Sequence, residues 1–316
     1  MYKILFLVLI GFADIYAKDI YPVTTIEASG IVSDFIEENG LLYVATDAGC
    51  IDIIDLTTQK VIRQITIAPL KTAMGEFVPA RIHSIDRFEG KTLFTSSGEN
   101  AYRNVWIDDG VSLKKIVDEK EHIMPKYAYF TSEGKILFGT FGSNIILYDD
   151  TEQYALYKHH ISQSTLGGMT LSSDRKKMLI ADESGTARLI DIKTAQVEHL
   201  LNSEHVDNIY KVAYSHNLVL TAGQDRRIGV YTLNGNSYHL KSDFLVYCVG
   251  VSPSSDIGIY SSGLEHHLQL FNTKTGKKTH KLVGHYATPN KIHFLNETSL
   301  ISTGDESTIF FWILDK

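Results

Sequence analysis

The chain has 316 residues, of which 44% are hydrophobic, 10% are aromatic and 21% are charged. This composition is that of an ordinary folded protein, and it excludes a disordered, collagen-like or disulfide-scaffold chain. The 30 Lys and Arg residues against 37 Asp and Glu residues give a formal charge of -7, so no basic face for nucleic acid is indicated. The 17 Tyr and 14 Phe residues, with frequent Ile, Val and Thr, favour strands over helices.

Residues 1–17, MYKILFLVLIGFADIYA, have the layout of a secretory signal peptide. Lys3 supplies a positive charge, residues 4–12 form a short apolar core, and Ala17 is a small residue at the expected cleavage point. A transmembrane anchor is the alternative, but roughly twenty apolar residues are needed to span a bilayer. We therefore expect residues 1–17 to be removed on export and the mature protein to act in the periplasm, without stable insertion in the membrane.

A repeated pattern organises the rest of the chain, because similar alternating apolar stretches recur at nearly constant spacing. These stretches end at Asp55, Asp108, Asp149, Asp191, Thr232, Asn272 and Ile313. The successive intervals are 53, 41, 42, 41, 40 and 41 residues. Two strand-like stretches precede each of them, and the first six units carry a fourth. A period near 41 residues with four strands per unit is typical of a β-propeller blade.

The last unit ends after its third strand, whereas residues 20–28 form a spare strand ahead of the first complete unit. When this strand lies on the outside of the last blade, seven blades are complete and no sheet edge is left open. No Pro/Ser-rich or charged linker interrupts the period. The sequence therefore predicts a single all-β domain over residues 18–316, a seven-bladed β-propeller in which the N-terminal strand completes the last blade.

Two units resemble WD40 repeats in detail. In the fifth unit, EHVDNIYKVAYS and TAGQDRRIGVY match the family's hydrogen-bonding positions with His205, Thr221, Asp225 and Tyr231. In the last unit, GHYATPNKIHF and TIFFW match them with His285, Ser302 and Trp312, and Glu306 stands where the family has aspartate. The resemblance implies a buried hydrogen-bond chain that fixes each blade, so we expect these residues to be structural.

Four segments are similar to the NapL-type accessory proteins, which are exported propellers encoded with periplasmic nitrate reductases of some Gram-negative bacteria. The segments are MGEFVPARIHSIDR from Met74, SGENAYRNVWI from Ser97, AGQDRRIGVY from Ala222 and SDFLVYCVGVSP from Ser242. The resemblance implies a role in nitrate respiration, either in maturation of the reductase or in electron delivery to it. Nitrate reductase or its electron-transfer components are then the implied partner.

No constellation of residues with catalytic chemistry stands out. The sequence has no GxSxG elbow, no HExxH zinc motif and no CxxCH haem motif, and the inner-strand stretches VAYS, VGVS and MTLS are apolar or small. The acid pairs at 108–109 and 149–150 lie at strand ends, where Asp is typical of turns. The histidine pairs at 159–160 and 266–267 belong to no ligand set of fixed spacing. We expect a non-enzymatic protein without cofactor or metal.

Cys50 and Cys248 are the only cysteines. A pair in an exported protein suggests a disulfide, but the repeat places these residues in the first and sixth blades, which are not adjacent in a ring of seven. We expect two free thiols, with Cys248 buried. A metal or redox role for Cys248 in the channel is the alternative.

The repeat is interrupted by two long connections. The first interval of 53 residues contains the insertion APLKTAMGEFVPAR, and SGENAYRN lengthens a connection in the second unit. In a propeller, outer-to-inner and second-to-third connections emerge on the same face, so we expect both loops to crowd one face. The arginines and histidines of the turns in blades five and six belong to that face, with solvated turn residues as the alternative. The predicted partner-binding residues are Met74, Phe77, Arg81, Tyr102, Arg103, Arg226, Arg227, His266 and His267.

Two functions follow from these observations. The favoured hypothesis is an exported interaction platform whose loop-rich face binds a periplasmic protein partner. The alternative is a periplasmic enzyme, or a carrier of a small ligand or metal, that uses the central channel.

Overall fold

Residues 18–314 are described by a computed structural model and form seven four-stranded antiparallel blades, one of which is extended by a short parallel strand, together with a two-stranded hairpin. The predicted signal peptide, residues 1–17, lies outside the described residues. The inner strands of consecutive sheets contact one another around a ring. This arrangement confirms the predicted all-β, seven-bladed propeller. No helix within residues 18–314 is long and apolar enough to cross a membrane.

The first half of the chain contains two leading strands, three blades and one hairpin. The leading strands are β1 (Asp19–Ile20) and β2 (Thr24–Glu27). Blade 1 contains β3 (Val32–Glu38), β4 (Leu41–Thr46), β5 (Cys50–Asp55) and β6 (Lys60–Thr66). The hairpin that follows contains β7 (Leu70–Lys71) and β8 (Phe77–Val78). Blade 2 contains β9 (Ile82–Phe88), β10 (Lys91–Ser97), β11 (Arg103–Asp108) and β12 (Leu113–Val117). Blade 3 contains β13 (Pro125–Phe130), β14 (Ile136–Thr140), β15 (Asn144–Asp149) and β16 (Tyr154–His160).

The second half contains four more blades. Blade 4 contains β17 (Leu166–Leu171), β18 (Lys177–Asp182), β19 (Ala187–Asp191) and β20 (Val197–Leu201). Blade 5 contains β21 (Ile209–Ser215), β22 (Leu218–Gly223), β23 (Arg227–Thr232) and β24 (Ser237–Lys241). Blade 6 contains β25 (Val249–Val251), β26 (Ile257–Ser262), β27 (His267–Asn272) and β28 (Lys278–Leu282). Blade 7 contains β29 (Pro289–Phe294), β30 (Ser299–Gly304) and β31 (Thr308–Ile313). Two short 3₁₀ turns, Glu99–Ala101 and Glu119–Glu121, complete the secondary structure of residues 18–314.

The ring is closed by β2, which lies antiparallel to β31 as the fourth strand of blade 7. The Glu27 carboxylate accepts hydrogen bonds from the Ser307 hydroxyl at 2.8 Å and from the Thr308 hydroxyl at 2.6 Å. Closure by the N-terminal strand is therefore confirmed. Pairing of this kind removes the free edge that β31 would otherwise present.

The predicted spare strand over residues 20–28 is divided in the structure. Its beginning, β1, pairs in parallel with β28 of blade 6, with Ile20 opposite Leu282, and only β2 belongs to blade 7. Pro22 lies between the two strands and has neither an N–H donor nor a free φ angle. The N-terminal segment therefore connects the last two blades instead of adding to one.

Burial is greatest in the middle strands of the blades. The strands β14 and β22 are buried along their whole length, whereas the outer strand β16 is exposed at nearly every position. Each blade packs between two neighbours, so both faces of its middle strands are covered by apolar side chains. One such layer joins blades 6 and 7 and contains Ile259, Leu268 and Trp312. Burial of each large side chain of this kind contributes about 1.5–3 kcal/mol.

A chain that begins at Ser29 lacks β2, so we expect it to be less stable than a chain that begins at Lys18, by about 3 kcal/mol. The reason is the loss of several strand hydrogen bonds, each worth roughly 1 kcal/mol. The freed edge of β31 should also promote self-association, visible by size-exclusion chromatography beside thermal unfolding. A chain that begins at Val23 loses only β1 and serves as the control with the smaller effect. Equal stability of the Ser29 and Lys18 chains would contradict closure by β2.

Candidate interaction face and channel mouth

The connections that leave each blade lie beside the turn between its second and third strands. The Ile67 N–H donates to the Gly49 carbonyl at 3.2 Å in blade 1, and the Val246 N–H donates to the Gly223 carbonyl at 3.2 Å in blade 5. Both sets of connections therefore emerge on one face of the ring. We call this side of the ring the loop-rich face.

The insertion between blades 1 and 2 folds as the hairpin β7–β8. Its turn is closed by the Thr72 N–H, which donates to the Glu76 carbonyl at 2.7 Å, and by Gly75, whose φ of 85° favours glycine. Met74 at the tip is 91% exposed, and Phe77 beside it is 68% exposed. Large apolar side chains grouped in this way are typical of binding surfaces.

The second long connection lies next to this hairpin. The Ser97 N–H, before the 3₁₀ turn Glu99–Ala101, donates to the carbonyl of Arg81, which follows the hairpin, at 2.8 Å. The two extended loops are thus neighbours, as the interrupted repeat predicts. Tyr102 is half-buried, and its hydroxyl lies 3.2 Å from Nδ1 of His122.

Arg103 begins β11 beside these loops, whereas the other four predicted partner-binding residues lie on the far side of the loop-rich face, in blades 5 and 6. Arg226 is exposed, whereas Arg227 is half-buried and donates from Nη1 to the Glu204 carbonyl at 3.0 Å. His267 is half-buried, with Nε2 at 2.9 Å from a Glu265 carboxylate oxygen. His266 is half-buried in the adjoining turn. The structure thus separates the predicted residues into two groups, and Arg227 is bound to its own blade.

The hydrogen-bond chain of blade 5 brings three of its four predicted members together. His205 lies with Nδ1 at 3.0 Å from Asp225 Oδ1 and with Nε2 at 2.7 Å from Thr221 Oγ1. Burial lowers the pKa of His205, although Asp225 acts in the opposite direction. Tyr231 differs from the expectation, because its hydroxyl accepts from the Glu204 N–H at 3.1 Å and does not bond to Thr221. Burial raises the pKa of Tyr231 to about 12.

The chain of blade 7 contains all of its predicted members. The Ser302 hydroxyl lies 2.7 Å from His285 Nε2 and accepts a hydrogen bond from Trp312 Nε1 at 2.8 Å. Nδ1 of His285 is hydrogen-bonded to the Glu306 carboxylate, which also accepts from the Tyr286 N–H at 3.2 Å. Glu306 therefore takes the place of the family's aspartate.

The channel wall carries ion pairs that the apolar inner-strand patterns did not indicate. Asp34 of blade 1 accepts from Lys291 Nζ of blade 7 at 2.5 Å and from the Ile85 N–H of blade 2 at 3.0 Å. Asp86 of blade 2 forms a bidentate pair with Arg175 of blade 4, at 2.7 and 2.9 Å. The Asp34 carboxylate thus connects blades 7, 1 and 2. The Asp86 carboxylate connects blade 2 to blade 4 and so spans blade 3. The charged residues within the inner-strand segments VSDF, HSID and NKIHF were the sequence signal for this arrangement.

The channel encloses a cavity of about 420 Å³. Its carboxylates are ion-paired and hydrogen-bonded, which suits them to holding blades rather than to proton transfer. Within residues 18–314, no group of three His, Cys, Asp or Glu side chains is placed to hold a metal ion.

Both cysteines are buried and unpaired in residues 18–314. Cys248 lines the channel cavity, and burial raises the pKa of its thiol to about 12. Because the thiolate is the reactive form, this thiol is unreactive at neutral pH.

His293 also lines the channel cavity, and its ring lies edge-on to Phe35 with centroids 6.3 Å apart. The His293 side chain is exposed to the channel, but protein surrounds the channel on all sides, and this partial desolvation, followed by the charge of Lys291, lowers the pKa of His293 to about 4. The imidazole is therefore neutral at physiological pH.

Comparison with known proteins supports the β-propeller fold. No protein-family model matches the chain. Actin-interacting protein 1 of Caenorhabditis elegans is 23% identical over 218 residues, which cover 64% of this chain and 34% of that protein. The match thus spans about a third of the length of that relative. The β-propeller domain of Cps50 (Swd1) from Myceliophteria thermophila has a TM-score of 0.73 at 15% identity, covering 93% of this chain and 99% of that one. The similarity to NapL-type accessory proteins stays a prediction.

The substitution Ser302→Ala should lower the free energy of unfolding by about 2–4 kcal/mol, because it leaves the buried His285 and Trp312 nitrogens without their shared partner. Urea unfolding of the purified protein measures this difference. Ser299→Ala, at the start of the same strand, is the control and should stay within about 0.5 kcal/mol of the wild type. Equal losses for the two variants would show that the blade 7 chain contributes nothing specific.

Acidification should destabilise the protein partly through His293. The pKa of an unfolded histidine is about 6.5, whereas that of folded His293 is about 4. Between these values the unfolded chain binds the proton more readily than the folded chain does. The stability that neutral His293 contributes is therefore complete above about pH 6.5 and is lost as pH falls towards 4. His293→Gln should make the urea midpoint less dependent on pH in this range, whereas His160→Gln, on the exposed strand β16, should not. Identical pH profiles for wild type and His293→Gln would refute the assignment.

Proposed function

We propose that this WD40-like β-propeller is a non-enzymatic platform whose loop-rich face binds a protein partner. The observation that carries the proposal is the exposure of Met74 and Phe77, 91% and 68%, on an insertion that interrupts an otherwise regular repeat. Methionine and aromatic side chains are enriched in the buried centres of protein interfaces. WD40-like propellers commonly serve as interaction platforms, and the worm relative is by name an actin-interacting protein. From this relative we infer only that the partner is a protein, and not that it is actin.

The chemistry of the channel supports a binding role over a catalytic one. Asp34 and Asp86 are held in ion pairs, and the Cys248 thiol is neutral because burial raises its pKa to about 12. A general base or nucleophile needs a free, activated group within reach of a substrate. These side chains are instead engaged with neighbouring blades.

We further propose that the platform acts in the periplasm as an accessory factor of nitrate reductase, in its maturation or in support of electron transfer. The support comes from the signal-peptide pattern of residues 1–17 and from the similarity of residues 74–87 and 97–107 to NapL-type accessory proteins. Co-purification from periplasmic extract of nitrate-grown cells tests this partner. Recovery of nitrate reductase or its electron-transfer components is the expected result, and their absence among the captured proteins would contradict the choice of partner.

The double substitution Met74→Ser with Phe77→Ser should abolish or weaken partner capture at least about tenfold, because hot-spot side chains at an interface centre each contribute 2 kcal/mol or more. Both side chains are exposed, so the melting temperature should not change. Quantitative pull-down from periplasmic extract measures the effect.

Val111→Ser is the matched control, since Val111 is 97% exposed in a turn between the third and fourth strands, on the opposite face. It should retain full capture. If the control variant loses the partner while the double variant keeps it, the interaction lies on the other face.

A further inference from the structure

Three cations lie close together on the loop-rich face, beside the inner strand β13, whose Tyr127 lines the channel. Arg81 follows the β7–β8 hairpin, Arg103 is the first residue of β11, and Lys126 lies near the start of β13. We call these three residues the cationic mouth. The ion pairs formed by residues 18–314 include none of them. This arrangement is notable in a chain whose formal charge is -7.

Arg103 carries a buried donor without an acceptor. Its Nη1 atom is inaccessible to water and has no hydrogen-bond partner within residues 18–314. Its guanidinium carbon lies 5.6 Å from the centroid of the Phe141 ring. Burial, and then repulsion by Arg81, lower the pKa of Arg103 to about 10. Native proteins rarely leave a buried polar group unpaired, and an unpaired buried cation is especially unfavourable.

Lys126 borders the same aromatic ring. Its Nζ lies 5.8 Å from the Phe141 centroid and donates one hydrogen bond, to the Leu166 carbonyl at 2.6 Å. An ammonium group has three donors, so two remain. Burial lowers the pKa of Lys126 despite the opposing effects of Tyr127 and Glu183, and Lys211 adds to the decrease.

The other cations of the channel show that this fold can pair its charges. Lys291 and Arg175 each bind a carboxylate, Asp34 and Asp86 respectively. Deeper in the channel, Lys211 keeps a raised pKa, mainly through its interaction with Tyr127. At the mouth, burial and repulsion by a neighbouring cation lower the pKa values of Arg103 and Lys126, and neither side chain forms an ion pair with a carboxylate within residues 18–314. A group that supplied anionic oxygens there would accept the free N–H donors and offset the repulsion.

We propose that the cationic mouth binds an anionic group of the carboxylate or phosphate class, with Arg103 as its principal ligand and Lys126 as the second. The group comes either from a free ion or from an acidic side chain of a protein docked on the adjacent hairpin. The first source goes beyond the proposed platform function. The second rests on that function and specifies the chemistry of the partner.

Isothermal titration of the full mature protein with inorganic phosphate, and separately with a hexaglutamate peptide, tests the proposal at constant ionic strength set with sodium chloride. At least one probe should bind the wild type. Its affinity for Arg103→Gln should be lower by about tenfold or more, since a charge-assisted bidentate contact is lost. Lys126→Gln should weaken binding by a smaller factor. Lys114→Gln, on the exposed outer strand of blade 2, should bind as the wild type does.

Thermal unfolding without ligand provides the second measurement. Arg103→Gln should melt at or above the wild-type temperature, because it removes an unpaired buried cation, and this result also shows that the variant is folded. Added phosphate should raise the melting temperature of the wild type and not that of Arg103→Gln if the source is a free ion.

The outcomes separate the sources. Arg103-dependent binding of phosphate assigns the site to a free anion, and Arg103-dependent binding of hexaglutamate alone assigns it to an acidic side chain. Failure of both probes, or equal binding to wild type and Arg103→Gln, overturns the proposal. Partner capture through Met74 and Phe77 uses other residues, so its failure is a distinct result.

Discussion

The antiparallel pairing of β2 with β31 is the constraint on which the rest of the structure depends. It converts seven sequential sheets into a closed ring, so that every blade has a neighbour on both faces and its middle strands can be wholly apolar. Closure also sets the circumference, and therefore which inner-strand residues meet across the channel. The Asp34–Lys291 pair exists only because blade 1 follows blade 7 around the ring.

Within the closed ring, polar groups fix the geometry in two places. The carboxylates of Asp34 and Asp86 hold the inner strands, and the hydrogen-bond chains around His205 and His285 hold turns of blades 5 and 7 on the loop-rich face. Buried charges and imidazoles are tolerated there because each has partners. Loops on a scaffold of this rigidity are free to vary, and the two long connections lie together on one face. The exposed hairpin and the cationic mouth are therefore neighbouring features of the same surface.

The seven blades and their closure were predictable from the sequence because the same local pattern of strands recurs in each of the seven units. The division of the N-terminal strand at Pro22 was not, since parallel pairing of two residues leaves no periodic signal. Asp34 and Lys291 lie 257 positions apart, and a single sequence cannot show that they form a pair. Glu306 is the carboxylate partner of His285 because its side chain is long enough to bring the carboxylate to Nδ1. The unpaired Nη1 of Arg103 arises from burial by surrounding structure, which no motif records.

We propose that the hairpin β7–β8 on the loop-rich face contacts the protein partner. A photo-crosslinking amino acid placed at position 74, and in a parallel chain at position 111, tests it most directly in intact cells. One dominant crosslinked protein is expected from position 74, and the crosslinks from position 111 on the opposite face should not include it. The same set of crosslinks from both positions, or a dominant product from position 111 alone, would contradict it.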